Sequence, residues 1–267
     1  MSAALDQSDA EPLLAEQPEP GILRLTLNRP RAYNALSTAL MAALQAALDA
    51  ARGDPAVKVV ILKAAGNGFC AGHDLREVRS LQGHAALERL FKQCSRLMQS
   101  IVALPKPVIA QVHGTASAAG CQLVASCDLA LAAESARFAT PGVNIGLFCS
   151  TPMVALSRNV GRKHAMEMLL TGELADAARA AEIGLINRAV PDAALEQQTL
   201  ALARLIASKS PLTVKTGKEA FYRQLEMPLS QAYDYAAQVM TENMLARDAQ
   251  EGIDAFIEKR PPVWQGC

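Results

Sequence analysis

The 267-residue sequence predicts an α/β fold with mainly parallel strands and a helical C-terminal region. Two observations carry this. Over the first half, short apolar runs rich in Val, Ile and Leu alternate with segments whose apolar residues recur at helical spacing. After about Ser150 the helical period takes over almost entirely.

In chain order, the first twenty residues, MSAALDQSDAEPLLAEQPEP, are acidic, contain Pro and lack Lys and Arg. A signal peptide needs a basic start and an apolar middle, and a transit peptide needs arginines. Residues 1–20 therefore read as a flexible tail, and the expected location is cytoplasmic. The domain starts at Gly21, with Ile22 to Asn28 as a strand. Ser37 is a suitable N-cap for a helix ended by Gly53. Val57 to Gly66 is an apolar run read as a buried strand. A loop, NGFCAGHDL, precedes a helix over His84 to Leu104, stopped by Pro105 and Pro107. PVIAQVHG is another strand, followed by a helix in AAGCQLVASCD and a strand over Asp128 to Ala133. Beyond Ser150 only Leu185 to Val190 interrupts the helical pattern, which closes with Asp192 to Lys259.

Composition narrows the function. Hydrophobic residues make up 51% of the chain, enough to bury a sizeable core. The 26 basic and 26 acidic residues balance, so nothing calls for nucleic acid or an anionic membrane surface. The apolar runs fall well short of the ~18 residues of a membrane span. The six cysteines show no C-x-x-C pair and no zinc-type His spacing, and read as reduced thiols, most of them in the core, with no metal site.

Motif tests remove further classes. Gly66, Gly68 and Gly72 follow a strand, but the third glycine is one place late for a dinucleotide fingerprint. There is no Walker A sequence and no G-x-S-x-G elbow. A pair of loops remains: FCAGHDL (Phe69 to Leu75) and HGTASAAGC (His113 to Cys121). Small residues at Ala71, Gly72, Ala118, Ala119 and Gly120 permit close approach of a ligand. If the loops adjoin, the amides of His73 and Ala119 converge, one at a helix N-terminus, as an oxyanion hole requires. The alternative is that small residues only allow tight strand–helix packing.

Five ordered segments then become specific: LNRPRAYNALS, FCAGHDL, KPVIAQVHGTASAAGCQLVASCDLALAAESARFATPGVNIGLF, GRKHAMEMLLTGE and DAQEGIDAFIEKR. From Gly21 to Trp264 the chain resembles the enoyl-CoA hydratase/isomerase family, the crotonases. The resemblance implies a spiral of ββα units over residues 21–195, with a helical trimerisation region over 196–267. It implies trimers, often paired into hexamers, and an acyl-coenzyme A thioester as ligand. No separate cofactor is implied, since coenzyme A enters as part of the substrate. The thioester carbonyl would lie between the amides of His73 and Ala119. Arg31 matches a residue that contacts coenzyme A phosphates. Ala71, His73, Asp74 and Leu75 match the loop that carries adenine and pantetheine. Phe256 and Lys259 match residues that close the site, often from a neighbouring subunit. Arg31 also reads as an ordinary turn charge, and Phe256 as plain helix packing.

The sequence departs from the family at the chemistry. Family hydratases use two glutamates for proton transfer; here Gln122 and Gly142 occupy those places. Gln does not titrate in the working range and Gly has no side chain. Each acid–base group contributes roughly 10²–10⁴ in rate, so standard hydratase activity is expected to be absent. With GCQLVASCD and FATPGVN, the chain resembles a glutamate-less branch of that family. The turn Gly146–Ser150, where some relatives carry an aspartate, offers only Cys149 and Ser150. A nucleophilic Cys149 needs a lowered pKa. The neutral ring of His73 is a possible base, and Asp128 reads as a backbone tie. The expected function is acyl-CoA binding with thioester enolate stabilisation. The alternatives are a non-catalytic acyl-CoA binding or regulatory protein, and a true hydratase using other groups. A Gln122→Glu, Gly142→Glu double variant is expected to restore detectable hydration if the loops keep family geometry.

Overall fold

The computed structural model describes residues 11–267. A six-stranded sheet organises the core. Its strands are β1 (Leu13–Glu19), β2 (Gly21–Leu27), β3 (Val57–Ala64), β4 (Val108–Val112), β6 (Leu129–Ala133) and β9 (Arg188–Val190), side by side in that order. Only the β1–β2 pair is antiparallel. A second sheet, β5 (Thr115–Ser117), β7 (Arg137–Ala139) and β8 (Ala175–Asp176), lies in the order β5-β7-β8.

The two faces of the large sheet are covered differently. One face packs the core of Leu25, Leu27, Val60, Leu62, Ala110 and Val112 with residues of helices α1 (Thr38–Gly53), α3 (His84–Val102) and α4 (Ala119–Ser126). The other face, with Ile22, Val59, Ile61, Ile109 and Leu131, is covered by Leu195 and Ala203 of α8 (Leu195–Ala207). Strands β3 and β4 are therefore buried on both sides, which is why they read as mainly apolar runs, broken only by Lys58, Lys63 and Gln111, rather than as alternations. The helical region that follows residue 195 thus begins inside this core. Helices α5 (Pro152–Asn159) and α6 (Arg162–Thr171) lie between β7 and β8, α7 (Ala177–Glu182) follows β8, and α9 (Pro211–Gln224), α10 (Leu229–Met244) and α11 (Arg247–Glu258) complete the chain.

Several local expectations hold in detail. The Ser37 side chain accepts from the Leu40 N–H and caps α1. The six cysteines are free, and all but Cys267 are buried. Asp128 is a tie: it accepts from the Val108 N–H at 2.7 Å, from Lys218 at 2.6 Å and from the Tyr222 hydroxyl at 2.9 Å. Lys218 also donates to the carbonyls of Ile101 and Lys106, so the pair fastens α9 to the base of the sheet.

The flexible tail expected over residues 1–20 is corrected for its second half. Leu13 to Glu19 forms a strand whose Leu13, Leu14, Ala15 and Glu16 pair with Leu27, Thr26, Leu25 and Arg24. Pro18 within it, and Pro12 and Pro20 beside it, disguise it in the sequence, but an edge strand tolerates Pro because one row of its backbone groups pairs with nothing. Glu16 and Glu19 bind Arg24 and Arg204, so the acidic character serves local pairing. Residues 1–10 of that expectation lie outside the described residues. The helix α2 (Leu75–Ser80) and the strands of the small sheet were not anticipated either; each is too short to show a period. Among the described residues no helix is long and apolar enough to cross a membrane, and no cluster of three metal-ligating side chains occurs.

Candidate functional site

The loop Cys70–Leu75 and the start of α4 are in direct contact. The Cys70 N–H donates to the Thr115 carbonyl and the Ser117 N–H to the Cys70 carbonyl, so the loop docks edge-on against β5. On its other side the Leu36 N–H donates to Gly72 at 2.7 Å and the Asp74 N–H to Leu36 at 3.2 Å, a bridge centred on His73. Gly72 has φ +99°, a conformation that side-chain-bearing residues rarely adopt. A β-carbon built there would meet the Ala118 β-carbon at 2.9 Å and the Ala119 nitrogen at 3.4 Å. Gly120 approaches the loop so closely that a β-carbon on it would overlap the Cys70 carbonyl.

The two loops expected to adjoin are thus in contact at Gly72 with Ala118 and Ala119, and at Gly120 with Cys70. Ala118 enters α4 at φ +50°, uncommon for a non-glycine residue, and its N–H donates to the Ala139 carbonyl. Among the backbone hydrogen bonds of the described residues, neither the His73 nor the Ala119 N–H donates. An N–H that opens a helix favours an accepting oxygen.

Helix α3 covers the far side. The Phe91 ring meets the His73 ring edge-on, with centroids 5.4 Å apart. Burial lowers the His73 pKa, with Glu77 opposing, so the imidazole is neutral at pH 7. Its Nε2 is buried without a partner. One helical turn along α3, the Cys94 Sγ stands 4.0 Å from the Gln122 Oε1. Gln122 is only 4% exposed. The thiols here are inert: burial pushes Cys70, Cys94 and Cys121 up to about 12.

Gly142 is not open space. It begins a fold-back in which the Leu147 N–H donates to the Gly142 carbonyl at 2.9 Å. A β-carbon on Gly142 would stand 2.6 Å from the Leu147 carbonyl oxygen and 2.9 Å from the Cys149 Sγ. Burial raises the Cys149 pKa, the opposite of what a nucleophile needs. The expectation that a Gln122→Glu, Gly142→Glu double variant restores hydration is corrected accordingly: the second glutamate meets backbone and sulfur at its first carbon.

The remaining expected residues divide. Ala71 and Leu75 are exposed along the loop, and Arg31 is exposed in the short 3-10 turn Pro30–Ala32, next to Tyr33, whose carbonyl accepts from the Ala71 N–H. Asp74 is engaged within its own chain, by Arg29 at 3.0 Å and by the start of α2. Phe256 is 86% exposed on α11, which packs on α9 and α10, so its own chain does not bring it to the loops. Lys259 follows in the left-handed conformation that ends α11. Phe91, Cys94, Arg29 and Glu77 were not anticipated; they reach the site through contacts distant in sequence, which carry no local signal.

Comparisons with known proteins identify the family and the fold. The family model described as Enoyl-CoA hydratase/isomerase matches residues 17–267. Enoyl-CoA hydratase domain-containing protein 3, mitochondrial, of Homo sapiens is 48% identical over 97% of this chain and 85% of its own length. Its crystal structure superposes with a TM-score of 0.92, at 48% identity over 95% of this chain and all of that one. An enoyl-CoA hydratase structure from Mycobacterium smegmatis gives a TM-score of 0.93, at 51% identity over 95% of this chain and 99% of that one. The 2,3-dehydroadipyl-CoA hydratase of Escherichia coli (strain K12) is 35% identical over 92% of this chain and 95% of its own. The expected cytoplasmic location is overturned, since the domain-containing-protein-3 relatives from rat, mouse and human are all named mitochondrial. The fold is the crotonase α/β fold with a helical C-terminal region, and the chain belongs to the enoyl-CoA hydratase/isomerase family.

Proposed function

We propose that the chain binds an acyl-CoA thioester between the Cys70–Leu75 loop and the start of α4, and stabilises the thioester enolate there without standard hydratase chemistry. The observation that carries this is the contact of Gly72 with Ala118 and Ala119, beside which, among the described residues, the N–H groups of His73 and Ala119 donate to no backbone carbonyl. A carbonyl oxygen that gains negative charge is held best by such fixed donors, because they need no reorganisation when charge develops. The names of the hydratase relatives support a CoA thioester as the ligand class.

The proton-transfer half is absent from this reading. Gln122 is buried beside Cys94, and the space at Gly142 is closed by Leu147 and Cys149. Hydration needs a base for water and an acid for the α-carbon, so the reactions that fit are those in which substrate or water moves the proton. In the second reading the chain only binds or senses acyl-CoA, favoured by the burial of every nearby thiol and the absence of a carboxylate at Gln122 and Gly142.

Assembly belongs to the same proposal. Ile253, Phe256 and Ile257 expose one apolar face of α11, and Leu229, Tyr233 and Met240 another on α10. A homotrimer, or a pair of trimers, would cover these faces and carry Phe256 and Lys259 to a neighbour's site.

The test combines binding with exchange. Acetyl-CoA and longer saturated esters should raise the melting temperature, and the protein should exchange α-carbon hydrogens of those esters for solvent deuterium. Stabilisation without exchange selects the binding reading. A flat thermal response across the esters, or robust hydration of crotonyl-CoA, sinks the first.

A further inference from the structure

The loop that presents the His73 N–H is fixed by side chains with no role in the reading above. Arg29 divides its guanidinium: Nη1 donates to the Ala35 carbonyl at 2.6 Å and Nη2 to the Asp74 Oδ2 at 3.0 Å. Asp74 divides its carboxylate: Oδ1 accepts from the N–H groups of Arg76 and Glu77, capping α2. Glu77, one turn later, accepts from both the N–H and the hydroxyl of Thr38, where α1 begins. Gln93 of α3 donates to the Thr38 carbonyl at 3.0 Å. The Arg29 and Asp74 side chains are largely shielded from water, where a forked ion pair resists screening.

These contacts straddle His73. Asp74 is its neighbour, and the Leu36–His73 bridge lies between Arg29 and Thr38 in sequence. Every oxygen of the Asp74 carboxylate already has a partner in its own chain. We propose that Arg29, Asp74 and Glu77 are positioning residues that aim the His73 N–H at the oxygen held beside Ala119, and that the Asp74 carboxylate performs this task in place of contacting the ligand. The part about the oxygen rests on the proposed function; the part about the loop does not. A donor must lie 2.7–3.1 Å from the charge it stabilises, so a loop free to shift by about 0.5 Å weakens the effect while leaving the binding surface in place.

Two readouts on the full-length protein separate the claims. Amide hydrogen exchange is measured over residues 70–75 without ligand, in the wild type, Asp74→Asn, Glu77→Gln and the surface control Arg158→Ala. The infrared carbonyl stretch of carbon-13-labelled acetyl-CoA is measured with the same proteins, alongside affinity for free coenzyme A. Asp74→Asn and Glu77→Gln should exchange about tenfold faster over 70–75, move the bound carbonyl toward its free position, and change coenzyme A affinity by less than about threefold; Arg158→Ala should change none of these. Unchanged exchange in both variants overturns the proposal, as does lost coenzyme A affinity with unchanged exchange, which would make Asp74 a ligand contact. A wild type whose bound ester shows no carbonyl shift defeats the enolate reading instead, and exchange alone then decides the positioning role.

Discussion

Gly120 rests on the backbone of Cys70, its α-carbon occupying ground where a β-carbon would overlap the Cys70 carbonyl. Together with Gly72 on Ala118 and Ala119, this contact sets how near the two loops lie. Gly120→Ala should cost about 1–3 kcal/mol by overpacking, and Gly72→Ala at least as much because φ is +99°. Chemical denaturation measures both losses. Acyl-CoA affinity in whatever folded protein remains should fall as the loops part; unchanged affinity in both variants would detach the site from this contact.

Gln122 and Gly142 should respond differently to the same substitution. Gln122→Glu keeps shape, but the carboxyl is buried beside Cys94, so its pKa should rise above the usual ~4.3. The variant should fold, with a small loss of stability. Gly142→Glu should unfold at lower denaturant, since its β-carbon meets the Leu147 carbonyl and the Cys149 sulfur. The double variant should hydrate crotonyl-CoA no better than Gln122→Glu alone, and an ultraviolet assay with a clear synergistic gain would refute the closed position.

The His73 ring makes stability depend on pH in a defined sense. Burial lowers its folded pKa beneath the ordinary 6.5, with Glu77 pulling the other way. Between the two values the unfolded chain binds more protons, so this contribution is full above pH 6.5 and is lost as the pH falls toward the folded value. Denaturation midpoints across that window should drop with acid in the wild type and flatten in His73→Gln. An equally steep slope in the variant assigns the dependence to other groups.

Lys218→Met should be among the costly changes far from the site. It leaves the Asp128 carboxylate buried with only the Val108 N–H and the Tyr222 hydroxyl, and breaking such a pair costs about 3–5 kcal/mol. Tyr222→Phe, which removes one hydrogen bond, should cost about 1 kcal/mol. Equilibrium unfolding in urea ranks them, and equal effects would contradict the tie.

The exposed ring of Phe256 predicts assembly. Phe256→Glu should shift the sedimenting species toward smaller mass, because a charge replaces an apolar anchor that is 86% exposed in the isolated chain. A single unaltered species would show that α11 faces solvent.

The fold was largely legible because its main elements are long or buried. Val57 to Ala64 announces itself by the apolar run Val59 to Leu62, and α1 by Ser37 and sixteen helical residues. The small sheet was not legible, since two or three residues such as Ala175 and Asp176 have no period of their own. Leu13 to Glu19 was hidden by Pro18 and by charges whose partners, Arg24 and Arg204, lie elsewhere in the chain. At the site, the small residues around Gly72 and Ala119 signalled close approach. What they could not signal was the Leu147–Cys149 fold-back onto Gly142 or the Arg29–Asp74 fork, because each joins residues by shape rather than by spacing.

The fold-back has an evolutionary consequence. Side chains at Gly142 are barred by main chain as well as by the Cys149 sulfur, so no single codon change there yields a usable carboxylate. Variation at that codon alone passes through poorly folded intermediates, and the turn through Gly146 must be rebuilt first. The glutamine at position 122 is one nucleotide from the acid and close to it in shape; the glycine at 142 is one nucleotide from an acidic residue too, but the main chain around it leaves the side chain no room.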